Sequence, residues 1–196
     1  MIVTRMMVTK MKLAKTFSRF AAALLCLWMA TSPLAATTIV PMSVERLTRA
    51  STHVVVGEAA DSWTEWNAER TLIYTVTRIR VRRALKGDAG QTIFVKQLGG
   101  VSGAYQQKVA GVRYWQEGEQ SVLFVHPAQG NDGRFVITGL MQGNFAVRSA
   151  GADPEVTNGI EGVEAFDPRT KTVKTYRGST LRLSQLEARV KKAATE

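Results

Sequence analysis

The segment from Ile73 to Arg82 constrains the fold more than any other part of this chain, because two kinds of side chain alternate along it. One set is apolar or small: Ile73, Thr75, Thr77, Ile79 and Val81. The other set is charged: Arg78, Arg80 and Arg82. Side chains two positions apart in a strand share one face. The pattern therefore predicts a strand that packs one face on the core and exposes the other to water. Strands of this kind are typical of antiparallel sheets.

Short apolar runs and glycine-rich turns surround this strand, which favours an antiparallel β fold. Further strands are predicted at residues 53–57, 92–98, 121–125, 134–137 and 142–147. Residues 99–118 are expected to form a long loop or an irregular hairpin, and residues 150–158 a loop. Ser43 and Ser184 are suited to cap two short helices. The sequence therefore predicts five or six strands with a short helix near each end.

Residues 1–36 have the order of a secretory signal peptide. Five basic residues precede an apolar run from Phe20 to Ala30, and small residues then lead to Ala36. Eleven helical residues rise about 16 Å, well short of the roughly 30 Å hydrocarbon core. We expect cleavage after Ala36, Sec-type export to the periplasm or the exterior, and no membrane span.

Removal of this leader changes the composition. The leader holds the only cysteine, Cys26, and five of the 26 basic residues but no acidic residue, so the net charge falls from +10 to +5. Without cysteine, the mature chain has no disulfide, thiolate nucleophile or cysteine metal site. We expect one β-barrel domain over residues 37–183, followed by a C-terminal helix or tail over residues 184–196.

Several short motifs follow one another along residues 43–147. They are Ser51, His53-Val54-Val55-Val56-Gly57, Tyr74-Thr75-Val76, Arg83-Ala84-Leu85-Lys86-Gly87, Gly99-Gly100, Gly118-Glu119 and Val122-Leu123-Phe124-Val125. In this order they resemble a family of uncharacterised exported bacterial β-rich proteins. The same order is distantly similar to the netrin-type module of the tissue inhibitors of metalloproteinases. That resemblance implies a five-stranded OB-like barrel. Those inhibitors act through an anchored N-terminal cysteine, which the mature chain lacks, so their mechanism is not carried over.

The residues suited to catalysis do not form a recognised pattern. His53 and His126 are the only histidines, and neither has the spacing of a metal site. Ser102 is followed directly by glycine, so the G-x-S-x-G motif is not met. Glu117 and Glu119 flank a turn glycine, where solvated charges are expected. No catalytic residue, metal or cofactor is predicted.

Two sets of residues are candidates for binding. Arg78, Arg80 and Arg82 would place three guanidinium groups about 7 Å apart on one strand face, which suits an anionic partner. An exposed barrel face that resists edge pairing is the alternative explanation. Aromatic residues in predicted loops could stack on sugars or anchor a partner, or else close an open barrel end. These are Trp63, Trp66, Tyr114 and Trp115.

The leading hypothesis is an exported, non-enzymatic binding module that contacts another extracytoplasmic protein, with a protease as one candidate. Polyanion or glycan binding through Arg78, Arg80 and Arg82, which we call the arginine row, is the second hypothesis. Nucleic-acid binding ranks third, since export and the reduced charge disfavour it. A hydrolase ranks last.

Overall fold

The computed structural model describes residues 37–130, 132–148, 151–159 and 163–196, and Ala36–Glu196 form one compact unit. The signal peptide predicted for residues 1–36 lies outside the described residues. Two helices are present, α1 (Val44–Ala50) and α2 (Leu183–Thr195). The strands are β1 (Thr37–Ile39), β2 (His53–Trp66), β3 (Ile73–Lys86), β4 (Thr92–Leu98), β5 (Gly100–Ser102), β6 (Tyr105–Gln107), β7 (Gln120–Pro127), β8 (Phe135–Ile137), β9 (Asn144–Val147), β10 (Glu155–Thr157), β11 (Val163–Asp167), β12 (Thr172–Thr175) and β13 (Thr180–Arg182).

Five strands form a closed ring. The largest sheet has the order β13-β10-β9-β7-β2-β3-β4-β8, and β8 also pairs with β7, so β7-β2-β3-β4-β8 returns on itself. Within the ring only β4 and β8 run parallel, and they are joined by the single pair Val95↔Phe135. The prediction of a mainly β chain with a short helix near each end is confirmed, but the strands outnumber the five or six expected.

The alternating strand has the orientation that its pattern predicts. Thr75, Thr77 and Ile79 are buried in β3, whereas Arg78 and Arg80 are exposed. Gly57 lies opposite β3, on β2, where an added Cβ would stand 2.4 Å from Cγ2 of Ile79. A side chain there would push the two strands apart, so the glycine allows their close approach.

The apolar runs of β2 and β7, at residues 54–56 and 122–125, contact apolar side chains on both faces of the sheet. Val55 and Leu123 point into the ring, whereas Val54 and Phe124 point outward beneath the helices. The ring interior is lined by Val55, Ala59, Ile79, Ile93, Val95, Trp115, Leu123, Val125 and Ile137. The outer core joins Val44, Leu47, Val54, Val122, Phe124, Phe145, Val156, Leu186 and Val190.

The two helices begin differently from one another. The predicted cap at Ser43 is confirmed, since its Oγ accepts the N–H of Arg46 at 3.2 Å. The predicted cap at Ser184 is wrong, because α2 begins at Leu183 and its N-cap is Arg182, two residues before Ser184. Ser184 instead donates its N–H and Oγ–H to the carboxylate of Asp153, at 2.9 and 2.8 Å.

The chain after residue 150 contains four strands, β10 to β13, and β10 lies within residues 150–158, which were expected to form a loop. β10 pairs with β9 and β13, which extends the large sheet. β11 pairs with β12 and, in parallel, with β1, which forms a separate three-stranded sheet. All four residues of β12 are exposed, so this strand lacks the apolar alternation that sequence patterns detect.

In the described part of the chain, no helix combines the length and the apolar character needed to cross a membrane.

Candidate functional site

Acidic side chains offset the charge of the arginine row. Nε of Arg78 lies 2.5 Å from Oδ1 of Asp61. Arg80 and Arg82 share Glu58, with N–O distances of 3.7 and 2.8 Å. The hydrogen bond from Arg82 is the main cause that lowers the pKa of Glu58, so this carboxylate stays ionised. The row is therefore a paired set of charges and presents less positive potential than its sequence indicates.

Sheet register brings this row beside an exposed aromatic pair. Trp63 lies opposite Val76, which lies opposite Lys96, and Arg78 lies opposite Phe94. Residues in one cross-strand row share a face, so Trp63, Phe94 and Lys96 belong with Arg78 to the outer side of the β2-β3-β4 sheet. Val76 lies on the same side but is fully buried. We call the set Trp63, Tyr74, Arg78, Phe94 and Lys96 the outer face.

The Trp63 and Phe94 rings pack edge to face, with their centroids 6.0 Å apart. They remain 39% and 37% exposed. Large aromatic rings held on a sheet, half covered and half open to water, are suited to anchor a partner. Phe94 was not predicted from the sequence as a binding residue, although it occupies an outward position between the inward Ile93 and Val95.

An ionic network borders the outer face. Nζ of Lys96 lies 4.3 Å from the centre of the Tyr74 ring, 3.7 Å from Glu65 and 3.8 Å from Asp132. Arg134 pairs with the same two acids, Glu65 and Asp132. These contacts connect the end of β2 to the loop before β8. They hold the Lys96 and Tyr74 side chains in place beside the aromatic pair.

A cavity of about 420 Å³ opens next to this network, and we call it the seam pocket. It lies where β4 and β8 diverge beyond their single pairing. Its lining is mainly apolar and comprises Tyr74, Lys96, Gln97, Leu98, Val109, Val112, His126, Val136, Ile137, Gly139 and Leu140. The amide of Gln97 donates to the carbonyl of Arg113 at 3.2 Å, while its Oε1 is buried without a partner in the described residues. The pocket suits an apolar group.

Trp66 is separated from Trp63. Both were expected in a loop, and both instead lie in β2, which extends to Trp66 because it pairs with β3 as far as Ile73. Being three residues apart, the two tryptophans point to opposite faces of the strand. Trp66 donates Nε1–H to Oγ of Ser102 at 2.9 Å and packs edge to face on Tyr105. It anchors the β5-β6 hairpin, which occupies the start of the predicted 99–118 excursion.

Tyr114 and Trp115 are also structural. The hydroxyl of Tyr114 donates to the carbonyl of Leu98 at 2.7 Å, and burial raises its pKa. Trp115 is only 6% exposed and fills one part of the ring interior, where Nε1–H donates to Oγ of Ser121 at 3.0 Å. Among these four aromatic residues, Trp115 is the one that fills the ring interior, which makes it inaccessible to a partner.

The polar residues considered for catalysis are engaged in local contacts. Nδ1 of His53 lies 2.8 Å from Oγ1 of Thr52, and Nδ1 of His126 lies 3.2 Å from Oγ1 of Thr138. Glu119 accepts the N–H of Gln116 at 3.1 Å. Among the residues that the structure describes, no group of three or more His, Cys, Asp or Glu side chains could hold a metal ion.

No protein-family model and no curated protein matches this chain.

Proposed function

We propose that this protein is a non-enzymatic binding module that holds a protein partner on its outer face. The observation that carries this proposal is the half-exposed Trp63–Phe94 pair, fixed on the sheet between the arginine row and the seam pocket. Tryptophan, tyrosine and arginine are the residues that most often dominate binding energy at protein interfaces. On this face they are packed in place, so little side-chain entropy would be lost on binding.

The charge distribution favours a protein over a polyanion. Glu58 and Asp61 pair with the arginine row, and Glu65 and Asp132 surround Lys96. A polyanion would meet acidic as well as basic groups on this face, and the acidic groups would repel it. A protein surface can place opposite charges against both kinds of group. The seam pocket would receive an apolar side chain of the partner beside the aromatic anchor.

We further propose that the ring is an OB-like barrel. Numbered along the chain, its strands pair in the order one, two, three, five, four, and the third and fifth run parallel. OB folds bind ligands through the face of their second and third strands and the adjoining loops. In this chain those strands are β3 and β4, which carry Tyr74, Arg78, Phe94 and Lys96.

The partner would be extracytoplasmic. This part of the proposal rests on the signal-peptide pattern of residues 1–36. The similarity to the netrin-type module makes a protease one class of partner to examine. Inhibition would then need a surface other than an N-terminal cysteine, and the outer face would provide it.

A capture experiment tests the proposal. Tagged protein is used to recover partners from the native extracytoplasmic fraction, and Trp63→Ala is compared with wild type. Loss of a large aromatic anchor is expected to weaken binding by about 2 kcal/mol or more, roughly thirtyfold. The matched control is Tyr105→Ala, which removes a 67% exposed aromatic on the other side of β2. A partner retained equally by both variants would contradict the assignment of the outer face.

Polyanion or glycan binding through Arg78, Arg80 and Arg82 is the second candidate. Its support is the wide exposure of the Arg80 and Arg82 side chains despite their pairing with Glu58. Affinity for a sulfated polysaccharide would then fall steeply with salt and on Arg80→Ala, while Trp63→Ala would have a smaller effect. Salt-independent binding to a defined protein would rule this candidate out.

A further inference from the structure

A second cavity lies on a part of the molecule that the outer face does not reach. It is an open cleft of about 650 Å³, lined by the segment between β1 and α1, by α1 itself and by the β11-β12 hairpin with the residues after it. We call it the basic cleft. It shares no lining residue with the outer face or with the seam pocket.

Among the residues that the structure describes, four cationic side chains and one acidic side chain line the basic cleft. The cations are Arg46, Arg169, Lys174 and Arg177. None of the four has an acidic group within 4.0 Å among the described residues. Arg78, Arg80 and Arg82, by contrast, each lie within 4.0 Å of an acidic group, so this cluster differs from the arginine row in having no such partner among the described residues.

The single acid is engaged in its own turn. Oδ1 of Asp167 accepts the backbone N–H of Arg169 at 2.9 Å. That hydrogen bond is the main cause that lowers the pKa of Asp167, so the carboxylate stays ionised and in place. Even with its charge included, positive groups outnumber negative ones by four to one in the cleft lining.

Strand register places one of the cations beside apolar side chains. Lys174 lies opposite Ala165, and Ala165 lies opposite Ile39. These residues share a face with Tyr176, which is two positions after Lys174, and both Ile39 and Tyr176 are buried. Lys174 itself is exposed, and it lines the cleft on the side of the small sheet that these apolar residues share. Like charges gathered this way repel one another, and a bound anion would relieve that repulsion.

We propose that the basic cleft binds a small multivalent anion that carries two or more phosphate or carboxylate groups. Guanidinium groups bind the oxygens of both classes in bidentate fashion, and an ammonium group adds a point charge. The cavity volume falls within the range of small-molecule sites, so it has room for more than a single phosphate group. This site works independently of protein binding on the outer face.

Calorimetric titration tests the proposal with two probes, inorganic pyrophosphate and citrate, at low and at physiological ionic strength. We expect at least one probe to bind with one-to-one stoichiometry. Its affinity should fall clearly as the salt concentration rises. Binding of pyrophosphate alone would identify a phosphate site, and binding of citrate alone a carboxylate site. Absence of saturable binding by both would overturn the proposal.

Substitution of Lys174 locates the binding. Lys174→Met keeps most of the apolar stem and removes the charge, and it is expected to lower affinity about tenfold or more. Lys191→Met, an exposed lysine on α2, is the matched control with the same change in net charge. Arg177→Gln provides a second variant with a similar expected loss. Equal weakening by Lys191→Met would overturn the site in favour of non-specific attraction.

Trp63→Ala separates this site from the proposed function. It should leave anion affinity unchanged, because Trp63 is not part of the cleft. Loss of anion binding in this folded variant would show that the probes bind the outer face instead.

Discussion

At the scale of single residues, Lys86 connects the ring of strands to a helix. Its Nζ donates to the carbonyl oxygens of Thr48 and Ser51, both at 2.7 Å, where helix α1 ends. The last carbonyls of a helix lack partners within the helix and carry partial negative charge, so an ammonium group is favourable there. Lys86 lies at the end of β3, and this contact ties the ring to the outer core.

We expect Lys86→Met to destabilise the protein by about 1 to 3 kcal/mol, because two partly buried carbonyl groups lose a charged donor. The free energy of unfolding from urea denaturation measures this effect. Lys191→Met serves as the control, since its exposed side chain should change stability by less than about 0.5 kcal/mol. Equal stability of the two variants would mean that Lys86 does not hold α1.

At the scale of elements, an ion pair joins the two helices. Arg189 of α2 donates to both carboxylate oxygens of Glu45 on α1, at 2.7 and 3.0 Å. The hydrogen bond from Arg189 is the largest cause that lowers the pKa of Glu45 from 4.5 to about 2. Both side chains are partly exposed, so solvent screening limits their contribution to about 0.5 to 1 kcal/mol.

The pH dependence of Glu45→Gln should show this pair. The lowered pKa means that Glu45 adds stability above its unfolded pKa of 4.5, and that this stability is lost as the pH falls from 4.5 through about 2. The difference in unfolding free energy between wild type and Glu45→Gln should therefore be full at pH 7 and disappear toward pH 2. Glu117→Gln, at an exposed position, is the control. A difference that stays constant with pH would contradict the ion pair.

Helix α2 is part of the core, although its position at the C-terminus would also suit a solvated tail. Leu186, Val190 and Ala193 are buried. We expect Leu186→Ala to lower the free energy of unfolding by about 2 to 5 kcal/mol. Leu140→Ala makes the same chemical change at a position that is 58% exposed, and it should cost far less. Similar losses from both would argue against the packing of α2.

At the scale of the whole molecule, the two hydrophobic clusters share strands. In β2, Val54 belongs to the outer core and Val55 to the ring interior, and β7 divides Phe124 and Leu123 in the same way. Loss of either cluster exposes one face of both strands. We infer that the ring and the helices unfold together.

This arrangement predicts one cooperative transition. Helical circular dichroism reports on α1 and α2, and tryptophan fluorescence includes Trp115 inside the ring. Both signals should give the same midpoint, and Leu186→Ala should shift them equally. Two separate transitions would show that the helices unfold before the ring does.

Local sequence patterns determined several elements correctly. The two-residue alternation of β3, the span of β4 and the cap of α1 at Ser43 all depend on residues close in the chain. β12 gave no such signal, because its residues are exposed and its pairing with β11 supplies the order. Trp115 is likewise a residue type that often anchors partners at a surface, and only its position in the fold shows that it fills the ring interior.

The candidate site also has one part that local sequence determines and another that depends on the tertiary structure. The sequence by itself determined that three arginines share one strand face, since period two is a local property of strands. Only the tertiary structure decided that Glu58 and Asp61 pair with those arginines and that Phe94 meets Trp63. Cross-strand neighbours depend on the register between β2, β3 and β4, and that register includes bulges between Val54 and Ser62. Register follows from burial of the whole ring, so no short segment of the chain contains it.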